Sequence, residues 1–220
     1  MCIKAGENEY MKIAVISEVS ARDKNADIIE ALSGRGFEII NAGMKPANGG
    51  PSLSYLHTGF LAGLLLNLKA ADFIVGGCGT GIGFMLSAMM YPGVYCGLIG
   101  DPLDGWLFNR INAGNCVSLP LNKGWGWGGG INLGFVFDRL FSDGRGDGYP
   151  EQRREPQTES RQKLEQISAV THKPMEEIIA SMDQNIVIEA LEFPGIREIT
   201  EKYKNNAPLL GALNKIYSGG

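Results

Sequence analysis

No apolar run in the 220 residues approaches the ~20 needed to cross a bilayer, so no membrane span is expected. Neither sign of charge is in excess. The net charge is −4, which gives no reason to expect nucleic acid or an anionic lipid surface as a partner. Histidine is scarce, with only His57 and His172. Four cysteines (Cys2, Cys78, Cys96, Cys116) lie far apart, with no CxxC pair and no metal-ligand spacing. Neither a disulfide framework nor a metal site is expected, no cofactor is implied, and free thiols fit a cytoplasmic protein. The first ten residues are too short and polar for a signal peptide and read as an extension before a natural start at Met11.

What is present is concentrated in one stretch, Asp72-Phe-Ile-Val-Gly-Gly-Cys-Gly-Thr-Gly-Ile-Gly-Phe84. It opens as a short apolar run, the pattern of a strand buried on both faces. Five glycines then fall within eight positions, 76 to 83, before good helix-forming residues resume at Phe84. A strand, a glycine turn and a helix bring backbone N–H groups together where they can hold an anion. The turn also carries one thiol, Cys78, and one hydroxyl, Thr80. A base beside a ring of N–H donors can make and stabilise an oxyanion.

Spacing excludes two common alternatives. A dinucleotide fingerprint needs glycines at i, i+2 and i+5. Starting from Gly77 the third place is Ile82, and starting from Gly79 it is Phe84. A phosphate-binding P-loop needs a lysine in the turn, and none is there. The bland alternative is a glycine-rich turn holding a buried, inert cysteine.

Around this stretch, strand and helix patterns alternate. Strands are expected at 12–17, 37–40, 73–75, 94–99 and 116–119, and helices at 22–34, 54–68, 84–90, 103–111 and 131–141. Alternation of this kind predicts an α/β fold: a Rossmann-like three-layer α/β/α sandwich around a five-stranded, mostly parallel sheet. Ligands in such sheets bind beyond the carboxyl ends of the strands, where Glu18, Cys78, Asp101 and Leu119 fall. Trp125 and Trp127, set among glycines, either wall a pocket or pack a loop. Composition turns polar at Ser142, dividing the chain into an α/β domain at 11–141 and a C-terminal arm at 142–220. The arm shows helical patterns at 159–169, 174–182, 195–204 and 208–217, read as an appendage packed on the core or on a partner subunit.

The Cys-Gly-Thr-Gly-Ile-Gly run resembles the signature of the type B ribose-5-phosphate isomerases and galactose-6-phosphate isomerase subunits, over roughly residues 11 to 141. Tyr55 lies where that family has the Tyr of an Asp-Tyr-Pro motif. Asn112 and Asn115 match its His-Asn-x-x-Asn stretch. The resemblance implies an aldose–ketose isomerase of sugar phosphates that works through an enediolate. Cys78 would be the base, Thr80 its hydroxyl helper, and the N–H groups of Gly79, Gly81, Ile82 and Gly83 the anion hole. It also implies a pocket between two subunits of a homodimer or tetramer, with C-terminal arginines on the phosphate: Arg153 first, then Arg154 or Arg161.

Departures are specific. The family's Asp-His after its first strand is Glu18-Val19 here, and the His credited with ring opening is Ile111. Glu18 keeps a carboxylate beside the substrate, and His57 reads as a partly buried helix histidine. A non-catalytic sugar-phosphate binder, or an inactive subunit assembled with an active one, is the alternative. An epimerase on the same scaffold is a third reading.

Overall fold

The computed structural model describes residues 10–46, 51–203 and 206–218. The expected N-terminal extension lies, but for Tyr10, outside the described residues. In chain order the elements are β1 (Lys12–Ser17), α1 (Asn25–Leu32), β2 (Glu38–Asn41), α2 (Tyr55–Asn67), β3 (Phe73–Cys78), α3 (Ile82–Ala88), β4 (Cys96–Leu98), α4 (Pro102–Leu107), β5 (Cys116–Pro120) and α5 (Gly129–Leu140). The C-terminal part adds α6 (Arg154–Thr171), α7 (Met175–Ser181), α8 (Gln184–Leu191), α9 (Ile196–Lys202) and α10 (Ala207–Ser218). The sheet runs β2-β1-β3-β5-β4, and every pairing in it is parallel.

The central strands are apolar on both faces because both faces are covered. In β1, Ile13 and Val15 enter the core beneath α1 and α5, while Ala14 and Ile16 enter the core beneath α2 and α3. The period-2 geometry of a strand divides them this way. By the same alternation Phe73 and Val75 of β3 face α1 and α5, and Ile74 and Cys78 face α2 and α3.

Helix α2 decides where the C-terminal part goes. Its sequence is apolar all round, and ten residues from His57 to Leu66 are buried. A helix of that kind needs cover on both sides. The sheet supplies one side. Met175, Ile179, Val187, Leu191, Leu209 and Leu213, from α7, α8 and α10, join the same core from the other. The appendage therefore packs on its own chain. Helix α8, over residues 184–191, is absent from the sequence-based expectation. Its β-branched run Ile186-Val-Ile188 is poor helix material, and burial of Val187 and Leu191 against α2 overrides the propensity. Helix α6 is longer than expected because Pro156 sits in its first turn, where proline is tolerated.

The two tryptophans divide between packing and exposure. Trp125 packs against Gly129, with the Lys24 ammonium 5.4 Å from its ring centroid, whereas Trp127 is 98% exposed. No described helix is long and apolar enough to cross a membrane. Leu191→Ala tests whether the C-terminal helices belong to the main core. Urea unfolding should show a loss of about 3 kcal/mol in one cooperative transition; a change confined to a separate, earlier transition would count against it.

Candidate active site

The turn after β3 is built by close packing. A Cβ on Gly76 would overlap the Phe84 ring of α3, and one on Gly77 would stand 2.5 Å from the Leu119 carbonyl oxygen of β5. Gly81 has φ +75°, and a Cβ there would lie 2.5 Å from Leu98 Cδ1. The buried Ser118 hydroxyl donates to the Gly81 carbonyl at 2.5 Å, which ties the turn to β5. Glycine at 76, 77 and 81 is thus required by contact and, at 81, by backbone conformation.

Cys78 ends β3 with 6% of its surface exposed. Thr80 Oγ1 is 4.0 Å from its sulfur and accepts the Ile82 N–H at 3.3 Å. The four N–H groups expected to form an anion hole are not equivalent. Gly81 N–H closes the turn onto the Cys78 carbonyl at 3.2 Å, and Gly79 N–H donates to Ser20 Oγ at 3.0 Å. Ile82 N–H is held by Thr80, which leaves Gly83 at the first turn of α3 as the donor nearest to open. Tyr55, at the start of α2, lays its ring over Gly83: a Cβ there would be 3.1 Å from the ring. Glu18, also 6% exposed, follows β1, whose Ser17 pairs with Gly77, so its carboxylate stands beside the Cys78 end of β3.

Two residues in this group were missed by the sequence analysis. Ser20 donates its hydroxyl to Glu18 Oε1. Asn122 donates from Nδ2 to the Ser20 carbonyl at 2.7 Å and from its backbone to Gly79 O at 2.9 Å. Neither belongs to a recognisable motif; only the strand register brings residues 18–20, 78–83 and 122 together.

Among the described residues, the other two cysteines are at the far end of the sheet. Cys116 starts β5, fully buried, and pairs in register with Cys96. Burial, with the neighbouring Cys96 thiol adding to it, pushes the Cys116 thiol well above its ordinary pKa. Neither cysteine shares the turn with Thr80 and the glycines.

The remaining expected residues do not join Cys78 within one chain. Helix α4 ends in a wide turn whose Ala113 N–H reaches back five residues to Phe108 O at 2.7 Å. Asn112 is exposed at that turn, beyond the amino end of β5. Cys116 pairs with Ile74, four residues before Cys78, so the two ends are separated by at least roughly 13 Å of strand. Asn112 instead lines a cavity of about 370 Å³ with Ile111, Tyr95, Cys96, Gln157 and Arg161.

Arg161 holds the cavity wall, donating to Ile111 O at 2.8 Å and Gly146 O at 2.9 Å. Arg145 donates to Ala113 O and Gly114 O, and its burial, then the charge of Arg161, lowers its pKa. Arg154 is committed to Asp147, and Arg153 is exposed outside the cavity lining. Asn115 is structural, bonded to Tyr95 N and Gly93 O.

His57 is structural too. Its Nδ1 accepts the Ser54 N–H at 3.0 Å, and its Nε2 lies 3.0 Å from Glu189 Oε2 of α8. That accounts for a buried histidine on α2. Asp101 caps α4 by accepting the Asp104 N–H.

The sequence profile of the Ribose/Galactose Isomerase family matches residues 13–125. The chain belongs to that family. A 4-deoxy-L-threo-5-hexosulose-uronate ketol-isomerase, crystallised with a tartrate, is 37% identical with a TM-score of 0.90. The match covers 94% of this chain and 100% of that one. A ribose-5-phosphate isomerase, LacAB_rpiB, from Vibrio parahaemolyticus is 36% identical with a TM-score of 0.89, over 94% and 100% of the two chains. The type B ribose-5-phosphate isomerase of Thermotoga maritima, 24% identical with a TM-score of 0.56, shares the fold over 69% of this chain and 99% of its own. No curated protein sequence matches the chain. The C-terminal helices are thus shared with the first two structures, whereas the Thermotoga chain, matched over nearly its whole length, spans only 69% of this one.

Gly81→Ala should destabilise the protein by about 2 kcal/mol or more, through both the positive φ and the Leu98 contact. Gly134→Ala, where a Cβ meets nothing within 4 Å, is the control and should change little. Chemical denaturation of both variants checks the pair.

Proposed function

We propose that this sugar isomerase interconverts an aldose and a ketose through an enediolate, with Cys78 as the base. As a thiolate, Cys78 takes the proton from the carbon beside the carbonyl. The C–H electron pair becomes the C1–C2 double bond, and the carbonyl pair moves onto O1. The Gly83 N–H, with the first turn of α3 behind it, faces the charge that develops. Cys78 then returns the proton to the other carbon. Glu18, the carboxylate beside it, carries the hydroxyl proton between O2 and O1. The single observation that supports this reading is a thiol, a hydroxyl, a carboxylate and a glycine turn gathered at the carboxyl ends of β1 and β3, in a chain of the isomerase family.

The substrate is an open-chain sugar whose far end is an anion. Ile111 replaces the ring-opening histidine, and a substrate that forms no ring needs none. The 37%-identical relative is named for such a compound: a 4-deoxy-5-hexosulose has neither a C4 nor a C5 hydroxyl to close on C1. Its terminus is a carboxylate, whereas the Vibrio relative is named for a phosphate ester. Arginine binds either group through paired N–H donors, and we assign that role to Arg161, in the wall of the cavity beside Asn112.

Asn112 and Arg161 lie at the opposite end of the sheet from Cys78, so a complete site draws them from a second copy of the chain. Variants Cys78→Ala and Asn112→Ala, each inactive or weak alone, should recover about a quarter of wild-type activity when co-expressed and co-purified, because half the dimers are mixed and each has one intact site. Absence of recovery in verified mixed dimers removes the two-copy reading.

Incubation in D2O with open-chain uronates and with four-, five- and six-carbon sugar phosphates, followed by NMR, tests the chemistry. Deuterium should enter C1 or C2 with wild type, and Cys78→Ala should lower that rate by at least about 100-fold. If folded wild type exchanges nothing with any of these sugars, the protein is a binder or an inactive subunit.

A further inference from the structure

Ser20 sits where packing gives no reason for it. Its side chain is exposed, it belongs to neither hydrophobic core, and no motif includes it. Yet its hydroxyl is fully used. It gives its proton to Glu18 Oε1 and accepts the Gly79 N–H at 3.0 Å, while the Ser20 carbonyl accepts Asn122 Nδ2 at 2.7 Å. Asn122 N–H in turn holds Gly79 O at 2.9 Å. The ring so formed joins the carboxyl ends of β1, β3 and β5. It is tight: a Cβ on Gly79 would stand 3.1 Å from Ser20 Oγ and 3.3 Å from Asn122 Nδ2.

A serine hydroxyl has one proton to give and lone pairs to accept. Accepting from Gly79 polarises the O–H, which strengthens the bond it gives to the carboxylate. The irregular turn over Val19–Lys24, which delays α1 to Asn25, is what carries Ser20 back over β3.

We propose that Ser20 is a positioning residue: it locks the Glu18 carboxylate, through the Gly79 N–H, in the place from which Glu18 moves the hydroxyl proton between O2 and O1. The inference rests on the enediolate reading above. It separates two proton transfers that one active site must perform. Cys78 moves the carbon-bound proton and does not touch Ser20. Glu18 moves the oxygen-bound proton and depends on it. Without the Ser20 hydroxyl the enediolate still forms, but it returns to the starting sugar more often than it goes on to product. In each forward turnover the O2–H proton passes to the carboxylate and O1 receives one back, so the balance closes without a further reagent.

The test is a partition ratio in D2O, using the sugar that wild type turns over: deuterium appearing in recovered starting sugar, divided by product formed. Ser20→Ala should raise this ratio roughly tenfold or more while KM changes little, and Ser20→Thr, which keeps the hydroxyl, should hold it within about twofold of wild type. Urea unfolding should place Ser20→Ala close to wild type, because the side chain is exposed. If exchange and product formation fall in parallel in Ser20→Ala, or neither changes, the assignment is overturned. It is likewise overturned if Ser20→Thr shifts the ratio as far as Ser20→Ala. Failure of the underlying reading looks different: wild type itself then incorporates no deuterium from any sugar, and the role of Ser20 falls with it.

Discussion

The structure depends on a place where no side chain fits. Between β3 and α3 the backbone passes so close to Phe84, Leu119 and Leu98 that only glycine is accommodated at 76, 77 and 81. That contact sets the distance of α3 from the sheet, and so fixes where its first N–H groups point. Cys78 is held in the middle of the turn, with its backbone carbonyl used twice, by Gly81 N–H and Leu121 N–H. A thiol and the N–H groups of the turn are fixed together by packing. Preorganisation of this kind lets such donors stabilise charge without reorganising at the moment of reaction.

A second constraint follows from α2. A helix apolar on all sides cannot end a domain, and the C-terminal helices answer it by closing over its outer face. The link reaches the site. Ser54 and His57 cap α2 at the end that carries Tyr55, and His57 is joined to Glu189 of α8. The helices beyond residue 174 therefore support the element that places Tyr55 over Gly83, although they contribute no residue to the turn.

On the proposed reading, recognition and chemistry sit at opposite ends of the sheet. At one end are the thiol, the carboxylate and the glycine turn. At the other, Arg145 holds the carbonyls of Ala113 and Gly114, and Arg161 holds that of Ile111 and lines the cavity beside Asn112. Burial, and then the charge of Arg161, lowers the Arg145 pKa. An exchange of His for Ile at 111 alters that second end without disturbing the first.

Much of this was legible in the residues. The alternation of apolar strands and amphipathic helices gives the parallel α/β architecture, and the spacing of glycines about Cys78 gives the turn, because both are local consequences of backbone sterics and burial. The boundaries of β1 agree with the pattern to the residue, and β3 begins where its apolar run begins but continues through Gly76 and Gly77 to Cys78. Other features are written nowhere in particular. Helix α8 forms against its propensity because α2 needs cover. The order β2-β1-β3-β5-β4 places Ser20 and Asn122, 102 residues apart, on the same glycine. Arg161 rather than Arg153 lines the cavity, because α6 turns the face carrying Arg161 to the 108–114 turn, while Arg153 precedes the helix and is exposed. The sequence by itself determined the strands, the turn and the thiol, which follow from neighbours in the chain. Only the tertiary structure decided which distant residues share that turn and which lie a sheet's length away, because register and helix packing are set by contacts that no short stretch contains.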